Sequence, residues 1–283
     1  MTGEGRTLIL SDTHLGKGGA VTAQSLAPLW RGFDRVVFNG DTAEVQMPRH
    51  REQAERELWH LRELADRDSV ELVLICGNHD AHVSELQSLA LLNGRVRVTH
   101  GHALHPGIAP WTPAGAPMAK MSNEQLAALP SESAACLDSR LSVAQRVAAE
   151  GFALDPSTQR DGGLRLRDLA THPWYAAKVV QYWLNAPRMA SDFAERYCPE
   201  ARVLIVGHSH RHGIWRRKGR TIINTGCYGF PGRPRAVVVE GETLAVHDVL
   251  LTPRGYVLSH AARWGMSLGE ARTSRERLRE RAA

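Results

Sequence analysis

The sequence is poor in cysteine and pairs none of it. Cys76, Cys136, Cys198 and Cys227 are the only four in 283 residues, and no two form a CxxC spacing. A chain of this length can bury a core without a disulfide framework, so all four are expected to be reduced and mostly buried. Long apolar runs are missing too. No stretch approaches the roughly 18–20 residues needed to span a bilayer as a helix. The opening MTGEGRTLILSDTHLG has only Leu8, Ile9 and Leu10 as an apolar centre and no small-residue cleavage site. It does not read as a secretory signal, which points to the cytoplasm. There are no internal repeats and no low-complexity tracts, so a solenoid is excluded.

What is present is ordinary for a globular protein: 43% hydrophobic and 23% charged residues. The net charge of +5 favours anionic partners only weakly. The basic excess is local, in HRHGIWRRKGR and in the arginine-rich last twenty residues. Short runs rich in Val, Ile and Leu predict strands at 6–11, 34–39, 71–76 and 95–101. Residues 48–68 place Leu58, Leu61, Leu64 and Ala65 at helical spacing among charges and predict an amphipathic helix. Five more strands are expected from 201 to 250, three or four of them close together with short turns, as an antiparallel meander.

The stretch 104–200 is different. It opens on the Pro/Gly-rich HPGIAPWTPAGAP and continues through segments with helical patterning. It is expected to be a helical insertion on a core of 1–103 and 201–255, with Trp174, Tyr175, Tyr182 and Trp183 as its packing centre. Residues 256–283 are expected to form a charged helical tail.

Polar residues gather where strands end: SDTHLG, NGDTAE, CGNHD, THGH and GHSH. In α/β sheets the carboxyl ends of strands are where ligands bind. Taken singly, each Asp or His has a dull explanation as a cap or a turn. Five strand ends carrying Asp, His and Asn together suit Mn, Fe or Zn.

In order and in content, DTH, GDTAE, GNHD, THGH and GHSH resemble the signature blocks of the calcineurin-like metallophosphoesterases. The resemblance implies an α/β fold, a four-layer αββα sandwich of two mixed sheets with a helical cap insertion. It implies two divalent metal ions, manganese first and iron or zinc as alternatives. Asp12, His14, Asp41 and His210 would hold one ion; Asp41, Asn78, His100 and His208 would hold the other. It also implies hydrolysis of a phosphodiester, phosphomonoester or pyrophosphate bond by a metal-bridging hydroxide. His79 would contact the phosphate or protonate the leaving oxygen, and Asp80 would orient its imidazole. His212 has no counterpart in the blocks and is expected to begin the next strand.

The implied partner is a phosphorylated small molecule or nucleotide-type substrate. The insertion resembles in position the cap of the UDP-2,3-diacylglucosamine pyrophosphohydrolases, whose substrates would bring peripheral membrane contact. Two features depart from that subgroup: His79 stands where arginine is common, and HGH replaces HGD. His102, the second histidine of HGH, is expected at the surface. Two further readings are a nuclease using the basic clusters and a non-catalytic scaffold of the same fold. The scaffold predicts a missing ligand, and none of the five blocks lacks one.

Overall fold

Leu8, Ile9 and Leu10 serve two cores at once. They lie in β1 (Thr7–Leu10), whose side chains alternate between the faces of a sheet. Leu8 and Leu10 pack with Val36, Phe38, Ala54, Leu58 and Leu61, whereas Ile9 packs with Val37, Val98, Ile205 and Ile223. A strand buried on both faces reads as a continuous apolar run. Each such side chain contributes about 1.5–3 kcal/mol on burial.

The computed structural model describes residues 5–154, 173–229 and 232–269. After β1 come α1 (Ala23–Leu26), β2 (Arg35–Asn39), α2 (Pro48–Arg67), β3 (Glu71–Ile75), β4 (Ser88–Leu91) and β5 (Val96–Thr99). The interval that follows holds α3 (Gly115–Ala127), α4 (Ser131–Ala134), α5 (Leu137–Leu154) and α6 (Pro173–Tyr197). The chain closes with β6 (Val203–Val206), β7 (Gly213–Arg217), β8 (Arg220–Asn224), β9 (Arg235–Glu240), β10 (Thr243–Thr252), β11 (Gly255–Leu258) and β12 (Trp264–Ser267).

Two mixed sheets result. The first runs β11-β10-β9-β1-β2-β3, with β12 also on β10; the second runs β4-β5-β6-β8-β7. They face each other through the apolar layer around Ile9. Helix α2 covers the outer face of the first sheet with Ala54, Leu58, Leu61 and Leu64. Helix α6 covers the outer face of the second with Ala190 and Ala194 against Leu204, Val206 and Ile222. This is an αββα sandwich. The insertion packs on it through Ala81, which joins Ile108, Met118, Val143 and Val147. Among the described residues no helix is long and apolar enough to cross a membrane.

Three expectations are corrected. The strands after residue 201 are not one meander. β6 and β8 pair in parallel within the second sheet, while β9 and β10 cross to the first. Adjacent apolar runs carry no mark of which sheet they join. The expected tail from 256 begins instead as β11 and β12, which pair with β10; residues 270–283 of that tail, and 155–172 of the expected insertion, lie outside the described residues. Trp174 is no packing centre either. It is 54% exposed, and of the four aromatics named only Tyr182 is buried.

Candidate metal centre

The parallel strands β1, β2, β3, β5 and β6 all deliver their following residues to one end of the sandwich. There Asp12, His14, Asp41 and His210 each offer a ligand atom within 4.8 Å of one another, as do Asp41, His100 and His208. Asn78 joins the second group: its Oδ1 lies 2.8 Å from His208 Nδ1 and 3.3 Å from His100 Nε2. Asp41 belongs to both groups. His212 stays outside them, immediately before β7.

The backbone bends sharply to achieve this. Asp12, His14, Asp41, His208 and His210 have φ of 54°, 48°, 49°, 65° and 57°. Non-glycine residues rarely adopt this left-handed region, and each such residue costs about 1–3 kcal/mol. Hydrogen bonds hold the bends: Asp12 N donates to Gly40 O at 3.1 Å and His14 N to Asp41 O at 3.0 Å. Gly207 keeps an ordinary φ; space is what requires glycine there. A Cβ would overlap the Asp12 carboxylate and Ser11 Oγ.

The hydrogen-bond partners fix the tautomers. His100 Nδ1 lies 2.9 Å from the carbonyl of Asn39, which can only accept, so Nδ1 carries the proton and Nε2 faces Asp41 at 3.3 Å. His208 Nε2 likewise donates to the carbonyl of Ile108 at 3.0 Å, which turns the Nδ1 lone pair inward. His14 Nε2 and His210 Nε2 stand 3.1 Å apart. The other nitrogen of His14 lies 3.0 Å from the Glu44 carboxylate.

The carboxylates of the site draw positive charge onto the imidazoles beside them. Burial opposes charge on His100, yet the Asp41 carboxylate raises it to about 9. Burial opposes charge on His210 as well, and Asp12 with the neighbouring Cys227 raises it well above the usual imidazole value. Asp41 is held well below the ordinary carboxylate range: burial is outweighed by His100 and His79. His208 falls to about 4, from burial and then the charge of His100. Two carboxylates, four imidazoles and one amide oxygen converging here fit divalent cations of the Mn, Fe or Zn kind.

His79 lies on the open side, its ring 24% exposed and edge-on to His14 at 5.0 Å. Its Nδ1 is 2.7 Å from Glu44 Oε2. Burial would lower His79, but the carboxylates of Glu44 and Asp41 raise it. This corrects the role expected for Asp80. The Asp80 carboxylate accepts from the backbone N–H of Gly77 (2.7 Å), Asp41 (3.1 Å), Thr42 (2.6 Å) and Ala43 (3.3 Å). It braces two loops and leaves the imidazole to Glu44.

Glu44 is the residue that reading the sequence missed. It is fully buried between His79, His14 and Lys17, whose Nζ lies 3.3 Å away. Burial would raise its carboxyl group, but the two histidines hold it far below its ordinary value. Its signal was present as the last residue of GDTAE. His102 is also corrected: it is 3% exposed, 5.6 Å from the His100 ring, and among the described residues neither ring nitrogen has a partner. Burial first, then His100, keeps it neutral.

Among solved structures, the chain is similar to a single-substitution variant of Vps29 from Entamoeba histolytica (12% identity, 91% of this chain and 98% of that one, TM-score 0.45). It is similar to a dimetal phosphatase from Danio rerio (13% identity, 85% and 94%, TM-score 0.43). A third is YfcE, a phosphoesterase from E. coli (12% identity, 93% and 98%, TM-score 0.40). No protein-family profile matches the chain, and no curated protein matches it.

Proposed function

We propose that this protein is a phosphoester hydrolase working with two divalent cations, one held by Asp12, His14, Asp41 and His210, the other by Asp41, Asn78, His100 and His208. The observation that carries this reading is the meeting of two ligand groups in the single Asp41 carboxylate. One carboxylate can tie together two cations about 3.5–4 Å apart. When bound, the cations draw charge from the phosphoryl oxygens and lower the pKa of a water, with manganese the first choice.

The remaining chemistry belongs to the chain. Asn78 contributes a neutral oxygen, which limits negative charge where an anionic phosphate must sit. Glu44 engages His79 Nδ1, which turns Nε2 toward Asp41, 3.9 Å away, on the side where an oxygen of the ester would bind. Glu44 also keeps that imidazole protonated, ready to pass a proton to the leaving oxygen. Asp80 fixes the loops that carry Asp41 and Asn78.

The hydrolysed bond is a phosphodiester, phosphomonoester or pyrophosphate, which an assay separates. With Mn²⁺ added, bis-p-nitrophenyl phosphate, p-nitrophenyl phosphate and a UDP-sugar should divide these classes, with turnover on at least one. No turnover on any of them by protein that has taken up metal contradicts the proposal. His79→Ala should lower kcat by about 10²–10³-fold with metal content retained.

The nuclease reading has less support. The basic WRRKGR hairpin turns at the far end of β7, away from the centre: Gly213 pairs with Asn224 near the site, and Arg217 with Arg220 at the turn. Lys218 there is engaged by Asp192 and Glu195 of α6.

A further inference from the structure

The loop that leads into the helical insertion makes two attachments to His208. One is the carbonyl of Ile108, already described. The other is Trp111, whose indole lies 5.7 Å from the His208 ring, tilted by 39°. Ile108 holds its position at φ 53°, although it is β-branched and buried. A β-branched residue in this region is strained, so the surrounding packing imposes the loop's shape.

Trp111 does not stand alone. Its ring meets Tyr182 of α6 edge-on at 4.8 Å and 67°. Tyr182 is buried and itself edge-on to His208 at 6.1 Å. The two aromatics come from separate parts of the insertion and meet on the flank of the second ligand group. Tyr182 is the buried backing, and Trp111 is only half-buried.

Trp30 and Trp183 are fixed through the indole N–H. Trp30 Nε1 donates to Asp68 at 3.0 Å and Trp183 Nε1 to the carbonyl of Ser209 at 2.8 Å. A packing tryptophan normally finds such a partner. Trp111, like Trp215 and Trp264, has none among the described residues; what sets Trp111 apart is its place, half-buried beside the His208 imidazole. Aromatic faces of this kind stack flat rings.

We propose that Trp111, backed by Tyr182, is a ring-binding wall that stacks a flat unsaturated ring carried by the organic group of the phosphoester, a nucleobase or an aryl group. The inference rests on the phosphoesterase reading. A phosphoryl group seated on the ligand groups brings its organic substituent to the edge of the site, and on the His208 side that edge is Trp111.

The test uses the Mn²⁺-loaded full chain and the variants Trp111→Ala and Trp111→Phe. Calorimetry would measure binding of 5′-AMP, p-nitrophenyl phosphate and inorganic phosphate. Turnover of p-nitrophenyl phosphate would be compared with that of glycerol phosphate. Trp111→Ala should weaken the ring-bearing ligands about tenfold more than inorganic phosphate, mainly in KM where turnover is seen, and Trp111→Phe should recover most of the loss. AMP and the aryl ester then tell which ring is preferred. Equal weakening of ring-bearing and ring-less ligands, no weakening of either, or failure of Trp111→Phe to recover would overturn the wall. Failure of the phosphoesterase reading shows separately, in wild-type protein that takes up metal yet turns over no ester. Wild-type protein that binds neither AMP nor phosphate overturns both.

Discussion

Glu44 Oε2 stands 2.7 Å from His79 Nδ1, whereas Asp80, next to His79 in the chain, turns its carboxylate onto backbone N–H groups. The two acids therefore do different work, and their variants should fail differently. Glu44→Gln should lower kcat by about 10–100-fold through the loss of charge beside His79, with a small change in melting temperature. Asp80→Asn should act on stability. Its amide NH₂ would face buried N–H groups left without an acceptor, each costing about 1–3 kcal/mol. Thermal melts and steady-state kinetics on both variants check this. Equal kinetic loss at unchanged stability for Asp80→Asn would return the imidazole to Asp80.

Gly207 is required by space. A Cβ there would overlap the Asp12 carboxylate and Ser11 Oγ. Gly207→Ala should push Asp12 out of line, cost about 1–3 kcal/mol in stability, and weaken metal binding more than Gly219→Ala. Gly219 has open space around it, although its φ of 76° strains any side chain. Titration of each variant with Mn²⁺ reads the difference.

The thiols offer a check on the packing. Cys76, Cys198 and Cys227 are buried and Cys136 is exposed. Burial pushes the Cys198 thiol up to about 11 and raises Cys76 as well. Since the thiolate is the reactive form, native protein at pH 8 should alkylate rapidly at one position, Cys136, and at all four only after unfolding. Peptide mapping identifies the labelled site. Rapid labelling of Cys198 in the native state would contradict the packing of α6 on the second sheet.

Much of the fold was legible because buried strands announce themselves. Leu8–Leu10, Val36–Phe38 and Val203–Val206 are apolar on both faces and end in polar turns. What could not be read was partnership. β6 and β8 are neighbours only because β7 folds back on the far edge of β8, which periodicity does not encode. β4 (SLAL) and β12 (WGMS) are too short and too mixed to stand out. The site was legible where ligands end strands. Glu44 was missed because its meaning comes from His79, 35 residues later, which only the fold brings beside it. Asp80 was misread because neighbours in a loop need not face one another.

The central claim is that two cations share Asp41, and metal stoichiometry tests it most directly. After loading with Mn²⁺ and removal of free metal, elemental analysis should find about two equivalents per chain in the wild type. Asp41→Ala should retain close to none, and His210→Ala about one. A wild type that keeps one equivalent or none, or an Asp41→Ala variant that keeps two, would contradict the shared centre.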